Sequence, residues 1–467
     1  MKIATKIVLA STVLCTLAVV TTGVIVGWRS SDLSEAALFN RVNEQVVSVR
    51  ENKKNEIEAY FEHIKYQMLT TANSIGVQDA MSIFSDTFGS YPVWEVADKD
   101  VAQLSNYYQS AFGANYLQLN DGESAREMQK FNMLTPLAKA LQARYIGVNP
   151  NPLGDKHQMM SDSLGTEYDK AHAKYHPSIK GFLEAFGYYD IFLVDNDGNI
   201  VYSVFKELDY ATNLNTGPYA NSGIAKAFKG ALNLSPTQYH LEDFAPYYPS
   251  YEAAASFIAT PIVKEGKKLG VLIFQMPVDE INKIMTFKSN WQNAGLGQTG
   301  EAYLIGPDGL KRSESRMLLE KPKLYFESLE AAGIASSTIA QIEGKGSAIG
   351  RQPVTTSTAK AALSGKSGTD IVLDFKGHRV LSAYAPVDAA GLTWGIITEI
   401  HEDEALVDVR KLTGSLTTTV TTSIIIVVIL SIIISYILGN SIANPIKAAI
   451  GKIQLISRDN DLTQRFE

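Results

Sequence analysis

The sequence predicts an α+β protein in which a long helix carries two antiparallel-sheet units in series, with a transmembrane helix before and after them. Three observations support this fold class. Each end of the chain contains a long apolar run, apolar residues after the first run recur at helical spacing, and one strand pattern occurs twice. The chain has 467 residues, about three times the usual domain length, so several units are expected.

The first apolar run, Ile7 to Trp28, has 22 residues and no charge. At about 1.5 Å per residue it spans roughly 33 Å, which matches the ~30 Å hydrocarbon core of a bilayer. The alternative is a cleaved signal peptide, because Lys2 and Lys6 form a basic start. Signal peptides have a shorter apolar region, of about 7–15 residues, and a small-residue cleavage site that is missing here. We therefore predict an uncleaved membrane span over residues 7–28.

The second apolar run predicts a second span over residues 416–438. The short ends of the chain carry positive charge, +2 over residues 1–6 and +1 over residues 439–467, whereas the segment between the spans carries −10. By the positive-inside rule both ends are cytoplasmic. The sequence thus predicts a multi-pass membrane protein whose residues 29–415 are periplasmic or extracellular.

A stalk helix is predicted over residues 29–76. Apolar residues recur there in steps of three and four, and no Pro or Gly interrupts the pattern before Gly76. The apolar stripe suits core packing, a dimer seam or both, and a homodimer is expected. Residues 77–180 are expected to be mostly helical, with turn signals that include Pro92 and Asn149 to Pro152.

The strand pattern that occurs twice begins at Tyr189. Two strand-like runs flank the hairpin signal Asn196-Asp-Gly-Asn199, and two more follow at Ala255 to Val263 and Leu269 to Gln275. Similar strands recur from Ala302 and from Arg379. Pro261 and Pro386 are separated by 125 residues, as are Gly270 and Gly395. We interpret this as a tandem duplication, with one five-stranded unit over residues 77–277 and a second over residues 278–412.

The residues expected of an enzyme are missing from the sequence, so no catalytic residue is predicted. There is no Walker loop, no Gly-x-Gly-x-x-Gly after a strand and no Gly-x-Ser-x-Gly. His172 and His176 have a helical i, i+4 spacing but lack the Glu of a zincin, and Asp195 to Asn199 reads better as a hairpin turn than as a calcium loop. Neither a metal nor a cofactor is predicted.

The amino-acid composition of the chain excludes several further classes of protein. The single cysteine, Cys15, rules out a disulfide framework and a Cys-based zinc or iron–sulfur site. A net charge of −7 argues against a nucleic-acid binder. Apolar residues at 45% and charged residues at 19% are ordinary for a folded protein.

The tyrosine-rich segment Asp243 to Tyr251 is the strongest candidate for ligand binding. Tyrosine offers a rigid apolar face and one hydroxyl, and Asp243 could meet an amine or a hydroxyl group. The alternative is that these aromatic residues only seal the sheet. The predicted ligand-binding residues are Tyr202, Phe205, Tyr219, Asp243, Tyr247, Tyr248, Phe257 and Gln275.

With these features, the region of about residues 30–410 resembles the double Cache (tandem PAS-like) sensors of bacterial receptors. The resemblance rests on Tyr188 to Asp195 with Gly198 to Tyr202, on Gly300 to Gly309, and on the closing strands Val380 to Val387 and Leu392 to Glu399. It implies a site in the bacterial cytoplasmic membrane and a small ligand in the membrane-distal unit, residues 77–277. The Arg-x-Trp-Tyr arrangement of amino-acid-binding members is missing, and Gln275 stands near their closing-strand Asp, so an organic acid or an amine is at least as good a candidate.

Residues 439–467 resemble the start of a HAMP linker, with Ser441 to Ile446 and Asp461 to Arg465 as the matching segments. A helix is expected to begin at Asn444-Pro445. The strand-to-helix exit, Glu399 to Leu412, would pass a ligand-induced preference to the second span. Glu399 and Pro445 are therefore the predicted signal-transmission residues.

The expected function is that of a transmembrane chemoreceptor of the methyl-accepting chemotaxis type, which binds a small extracytoplasmic ligand and acts on cytoplasmic signalling proteins if an output domain follows. The rival is the sensor half of a histidine kinase or nucleotide cyclase whose catalytic domain lies beyond residue 467. A standalone binding protein without an output of its own is the third possibility.

Overall fold

The computed structural model describes residues 3–459, and it divides into two compact units. One unit comprises the chain ends, up to Glu44 and from Asp403, and the other comprises Gln45–Glu402. The segment Asp461 to Arg465, part of the predicted HAMP linker, lies outside the described residues.

Helices occupy the chain ends, the segments before and between the sheets, and connections between strands within each sheet. The α-helices of residues 3–459 are α1 Ile3–Ala72, α2 Ile75–Gly89, α3 Asp98–Asn106, α4 Gly113–Leu119, α5 Glu127–Asn132, α6 Pro136–Gln142, α7 Glu167–Phe186, α8 Gly223–Ala231, α9 Val278–Met285, α10 Arg316–Glu320, α11 Pro322–Ala331, α12 Ser336–Lys345, α13 Ser357–Leu363, α14 Glu402–Ala405 and α15 Val407–Asp459. The strands are β1 Asp190–Asp195, β2 Ile200–Ser203, β3 His240–Tyr247, β4 Ala253–Lys264, β5 Lys267–Gln275, β6 Glu301–Ile305, β7 Gly368–Leu373, β8 Arg379–Ala389 and β9 Leu392–His401.

The unit formed by the chain ends contains the two apolar runs. Helices α1 and α15 are long and apolar enough to cross a membrane, over Val8–Ala72 and Val409–Gln454. Gly23 and Gly27 of α1 face α15. A Cβ atom on Gly23 would lie 2.8 Å from Ile424 Cδ1, and one on Gly27 would lie 3.3 Å from Val420. Small residues four positions apart allow two helix backbones to approach closely in a membrane.

Two helix boundaries differ from the prediction. The stalk helix, expected to continue to Gly76, ends at Ala72, because the Ser74 side chain accepts a hydrogen bond from Val77 N at 3.3 Å and thereby caps the start of α2. The helix expected to begin at Pro445 does not begin there. Helix α15 runs through this residue, because a proline removes one backbone donor without always ending a helix.

The first sheet has the order β2-β1-β5-β4-β3, and every neighbouring pair is antiparallel. Side chains alternate between its two faces. One face, with Phe192 and Phe257, forms a core with α8, and the other, with Leu193 and Tyr202, belongs to a larger core that includes α2 and α7. The predicted hairpin from Tyr189 to Phe205 is present as β1 and β2.

The second sheet has the order β6-β9-β8-β7 and therefore four strands rather than the five expected. A single bridge between Ile305 and Lys311 lies where a partner of β6 equivalent to β2 would be. Helices α10, α11 and α12 lie between β6 and β7. Gly270 pairs with the last residue of β1, and Gly395 pairs with the last residue of β6, so the two predicted repeat marks occupy equivalent places.

The part of α1 from Gln45 onwards packs against the sheets. Its side chains at Ile57, Phe61, Ile64 and Met68 are buried in the larger core. Arg50 Nη1 donates hydrogen bonds to the carbonyls of Gly368 and Tyr384, both at 3.1 Å. Core packing, one of the two uses considered for the apolar stripe, thus accounts for this half of the helix.

Candidate ligand-binding site

A cavity of about 260 Å³ lies beside the first sheet, between the segment that follows β2 and the helical layer. Five of the thirteen lining residues are aromatic, and three have charged side chains. The lining residues are Tyr107, Phe112, Asn115, Leu153, Gly154, Lys156, Tyr189, Phe205, Lys206, Glu207, Leu208, Pro249 and Tyr251.

The backbone that carries the lining residues departs from regular helix and strand geometry at several positions, and these departures determine where the side chains lie. Tyr107 and Phe112 lie at the two ends of a π-helical turn between α3 and α4. Lys206 and Tyr251 have left-handed φ angles of +60° and +56°. Such conformations are costly for residues with a Cβ atom and cluster at functional sites.

Three carboxylates lie at or next to the cavity. Tyr189 and Ser250 donate hydrogen bonds to Glu207 from their hydroxyl groups, at 2.9 and 3.3 Å. The buried Asp209 accepts a short hydrogen bond from the Tyr247 hydroxyl. The buried Asp190 accepts with Oδ1 from three backbone N–H groups, and these belong to Ile191, Val204 and Phe205 at 2.7, 2.9 and 3.2 Å.

Several buried polar atoms in this region have no hydrogen-bond partner among residues 3–459. Three are acceptors and two are hydroxyl groups, and they are Asp190 Oδ2, Asp209 Oδ1, Gln275 Oε1, Tyr219 Oη and Tyr248 Oη. A buried polar atom without a partner costs about 1–3 kcal/mol, so each such atom calls for an explanation. None of these five residues is among those that line the cavity, although Tyr248 contacts the lining residue Phe112.

The carboxylates repel one another across this low-dielectric region. Burial, followed by the charge of Asp209, raises the pKa of Asp190 to about 8. Burial raises the pKa of Asp209 to about 6, and burial with the charges of Asp209 and Asp190 raises the pKa of Glu207 well above its usual value. An added positive charge would therefore favour ionisation of all three carboxylates.

Lys206 is the ammonium group beside these carboxylates. Its Nζ donates to the carbonyl oxygens of Ser203 and Val204, and lies 4.6 Å from the Tyr202 ring centre and 5.4 Å from that of Tyr210. Burial lowers the pKa of Lys206 to about 7, against the opposing effect of Asp190. Half of its charge is therefore lost near neutrality, and its compensation of the carboxylates is partial.

Five of the predicted ligand-binding residues line the cavity or contact residues at it, and they are Tyr202, Phe205, Tyr247, Tyr248 and Gln275. Phe205 lines it, and its ring centre lies 4.4 Å from that of His157, with the two rings tilted by 39°. Tyr247 reaches Asp209, and Gln275 Nε2 donates to Ser250 at 3.2 Å. The ring of Tyr248 lies 5.2 Å from that of Phe112, a lining residue.

Tyr219 lies further from the lining residues, whereas Tyr202 contacts the lining residue Lys206 and is held in the core by its hydroxyl group. The Tyr219 ring centre is 6.1 Å from that of Tyr248. The Tyr202 hydroxyl lies 2.7 Å from His176 Nδ1 in the core, and His176 Nε2 also contacts the carbonyl oxygen of His157 at 2.8 Å. Both ring nitrogens of His176 thus have protein partners, and Pro177 does not end helix α7.

Phe257 and Asp243 are directed elsewhere. Phe257 lies on the face of the sheet that packs against α8. The Asp243 carboxylate accepts two hydrogen bonds from Arg312, each at 2.9 Å, and one from Trp394 Nε1 at 3.3 Å. Both partners belong to the second half of the chain, so Asp243 joins the two sheet regions and does not line the cavity.

Glu399, one of the two predicted signal-transmission residues, is buried on β9 opposite Glu301 of β6. The Tyr303 hydroxyl donates to it at 3.3 Å. Burial and the charge of Glu301 raise the pKa of Glu399 to about 8. The side chain is thus held within the second sheet, two residues before the strand ends.

Sequence reasoning missed Asp190, Lys206, Glu207 and Asp209. A signal was available, since Lys206-Glu-Leu-Asp209 places three charged residues within four positions directly after a buried strand. Surface turns have the same composition, and only the fold shows that this segment is turned inward.

Two antiparallel sheets in series, a partly charged cavity against the first sheet and helices of membrane-crossing length at both ends define the class of a ligand-binding sensor. The chain belongs to the Cache domain family, which matches residues 95–409. It has the double Cache arrangement.

Several solved sensor domains are similar to this chain. The ligand-binding domain of the Pseudomonas fluorescens chemoreceptor CtaA, in complex with L-leucine, is 14% identical, covering 65% of this chain and 97% of that one, with a TM-score of 0.29. The domain of the Pseudomonas aeruginosa amino-acid chemoreceptor PctB, in complex with L-Arg, is 14% identical, covering 64% and 97%, with a TM-score of 0.30.

The extracellular domain of the histidine kinase vpHK1S-Z8, described as putative, is 12% identical to this chain, covering 67% of it and 94% of the kinase domain, with a TM-score of 0.31. None of the curated proteins compared with this chain matches it. The family assignment rests on the match over residues 95–409.

Proposed function

We propose that this protein is a transmembrane receptor of the methyl-accepting chemotaxis type that binds a small organic amine in the cavity beside the first sheet. The observation that carries the proposal is the carboxylate on the cavity wall, Glu207, whose neighbours Asp190 and Asp209 each have a buried oxygen without a partner in the part of the chain from residue 3 to 459. A protonated amine has three donors and one positive charge, which is what these acceptors lack.

The charges around the cavity favour the same ligand. The cavity lining contains two ammonium groups, those of Lys206 and Lys156, and burial lowers the pKa of both lysines, while among the carboxylates Asp190 acts on Lys206. Burial favours the protonated forms of Asp190 and Glu207, and a ligand ammonium group near them would favour the ionised forms, whose oxygens accept hydrogen bonds. Lys156 donates to the Asn149 carbonyl at 2.8 Å and could also meet an oxygen-bearing group of the ligand.

The size and wall of the cavity suit a small molecule. The volume of about 260 Å³ lies just below the roughly 300–1,000 Å³ of ligand pockets in general, which suits a small ligand. Phe112 and Tyr251, whose ring centres are 4.7 Å apart, form a stacked pair on the wall. Aromatic faces attract organic cations by about 0.5–2 kcal/mol.

Binding would act through population shift. A ligand that prefers one arrangement of the sheet units changes the equilibrium only by its differential affinity. In a homodimer spanning the membrane, the last strand would pass this preference to the second span, residues 416–438, as a helix shift of about 1–2 Å, and the HAMP segment would read it.

The test is calorimetric titration of the full-length chain in detergent micelles with a panel of small amines and a matched panel of carboxylic acids without an amine. We expect at least one amine to bind, and Glu207→Gln to weaken it by about tenfold or more, since a charged hydrogen bond contributes about 1.5–3 kcal/mol. The control is Glu95→Gln, because Glu95 is an exposed acid outside the cavity lining. Binding confined to the acids, or an equal effect of both substitutions, would refute the amine site.

The kind of cytoplasmic output domain is a separate part of the proposal. Sequencing the reading frame beyond codon 467 tests this part directly. A long helical hairpin with heptad spacing would support the chemotaxis type. A kinase or cyclase domain there would leave the sensor unchanged and replace that part of the proposal with the rival.

A further inference from the structure

Three side chains that can act as metal ligands lie close together at the second sheet, outside the cavity beside the first sheet. Asp374 is in the turn between β7 and β8, His378 comes directly before β8, and His401 ends β9. Strands β8 and β9 are neighbours, and His401 pairs with Val380. The fold thereby brings two imidazoles and one carboxylate together from positions up to 27 residues apart in the sequence.

We propose that Asp374, His378 and His401 form a binding site for a divalent transition-metal ion such as Zn²⁺. Asp374 Oδ2 lies 3.7 Å from His378 Nδ1 and 3.9 Å from His401 Nε2. One ligand atom from each residue lies within 4.8 Å of the other two. For metal–ligand distances of about 2.0–2.2 Å, tetrahedral ligand atoms are roughly 3.3–3.6 Å apart, so a small movement of two side chains completes the geometry.

The carboxylate is already oriented for this role. Asp374 Oδ1 accepts hydrogen bonds from the backbone N–H groups of Lys376 and His378, at 2.9 and 2.8 Å. Those bonds leave Oδ2 directed at the two imidazoles. The Asp374 side chain is only 3% exposed, whereas that of His378 is 56% exposed, so the site has a fixed base and an open side through which an ion can enter.

The donor set selects the class of ion. Two imidazoles and one carboxylate suit Zn²⁺, Ni²⁺ or Cu²⁺, whereas Ca²⁺ and Mg²⁺ prefer sites made of oxygen ligands. Three protein ligands leave a position for water. Lys376 Nζ lies 3.5 Å from Asp374 Oδ2, and its charge opposes that of the ion. Lys376 must move aside on binding, and its removal should strengthen the site.

The position of the site suggests what the ion would do. His401 is the last residue of β9, and α14 begins at the next residue. A metal ion would hold the end of the last strand to the β7–β8 turn. The site shares no residue with the amine cavity, so it stands whether or not an amine binds there.

The experiment is a titration of the full-length chain in detergent micelles, without a histidine tag and after treatment with a chelator, using Zn²⁺ alone. Calorimetry and thermal unfolding are the two readouts. We expect one Zn²⁺ per chain and a rise in the unfolding temperature. His378→Ala should weaken binding by at least about 10–100-fold, which is the usual loss for outer-sphere residues of metal sites.

Two further variants make the result specific. Lys376→Met should tighten Zn²⁺ binding because it removes a competing charge and keeps the apolar stem. His63→Ala, at an exposed histidine on α1, should leave binding unchanged. Because His378 is exposed, its replacement is not expected to unfold the protein. Equal Zn²⁺ affinity in His378→Ala and His63→Ala, or no binding to the unaltered chain, would overturn the proposal.

Discussion

At the scale of single residues, burial next to the cavity keeps Asp190 in a form that is unusual for a carboxylic acid at neutral pH. Three backbone N–H groups bind one of its oxygens, but burial and the charge of Asp209 outweigh them and raise its pKa to about 8. The folded protein therefore binds a proton at this residue that the unfolded chain releases near pH 4.

This difference predicts how stability depends on pH. A folded state that binds more protons than the unfolded state loses stability as pH rises, by up to about 1.4 kcal/mol per pH unit for each group. For Asp190, whose folded pKa is about 8, the loss extends from about pH 4 to pH 8. We expect Asp190→Asn to make the free energy of unfolding fall less steeply between pH 5 and 7, as measured by denaturant titration. Asn can still accept the three backbone hydrogen bonds with its side-chain oxygen.

The pH range of this measurement is set by the neighbouring groups. Lys206 has a pKa lowered to about 7, so it increases the free energy of unfolding of the protein as pH rises above 7. This effect is opposite in sign to that of Asp190. Asp209, whose pKa is raised to about 6, also lowers the free energy of unfolding as pH rises to about 6. The dependence of the free energy of unfolding on pH is therefore weaker in Asp190→Asn than in the unaltered chain, but it does not disappear. Asp197→Asn, in the exposed hairpin turn, is the matched control. A slope that is the same in Asp190→Asn and in the unaltered chain would contradict the assignment.

Residue type alone predicted part of the site. Aromatic residues such as Phe205 and Tyr248 were recognised because large rings beside a sheet commonly line cavities. Asp190, Glu207 and Asp209 were not recognised, because an acidic residue is more often exposed and nothing local distinguishes a buried one. The energetic cost of burying them becomes visible only when their neighbours are known.

At the scale of elements, the two sheets depend on glycine at one repeated position. A Cβ atom on Gly270 would lie 2.3 Å from the Val194 carbonyl oxygen and 2.6 Å from Met81 Cε. On Gly395 it would lie 2.8 Å from Ile305 Cγ1. At Gly270, an added Cβ atom would collide with a backbone atom of the adjacent strand. At Gly395, it would come closest to a side chain, that of Ile305, which can move.

This contrast predicts unequal effects of the same substitution. Gly270→Ala should lower the free energy of unfolding by about 1–3 kcal/mol, as overpacking does, and Gly395→Ala by less. Gly181→Ala is the control, because Gly181 lies in α7 with open space around it and alanine favours helix by about 1 kcal/mol. Denaturant titration measures all three. Equal destabilisation by Gly270→Ala and Gly181→Ala would contradict the close approach.

At the scale of the whole sensor region, the contact between Asp243 and Arg312 links the first sheet to the second half of the chain. Arg312 is 2% exposed as a side chain, and its guanidinium binds both Asp243 oxygens. It also donates to Asp308 at 2.9 Å. A buried charge of this kind is costly to leave without its partner.

We therefore expect Asp243→Asn to lower the free energy of unfolding by about 3 kcal/mol. Asp308→Asn should cost less than about 1 kcal/mol, because the Asp308 side chain is 45% exposed. Denaturant titration gives the stability, and amine titration of the same variants gives the affinity. If Asp243→Asn reduced ligand affinity and left stability unchanged, Asp243 would be a ligand contact as the sequence suggested and not a link between the sheets.

The sequence by itself determined the α+β class, the two apolar helices, the duplicated sheets and the Cache resemblance. All of these depend on periodicity and chain order, which are local properties. The tertiary structure decided that Asp243 pairs with Arg312, that Phe257 faces α8, that Lys206 to Asp209 turn inward and that His378 meets His401. These outcomes depend on which distant side chains share a volume, and that is set by packing and the burial of charge.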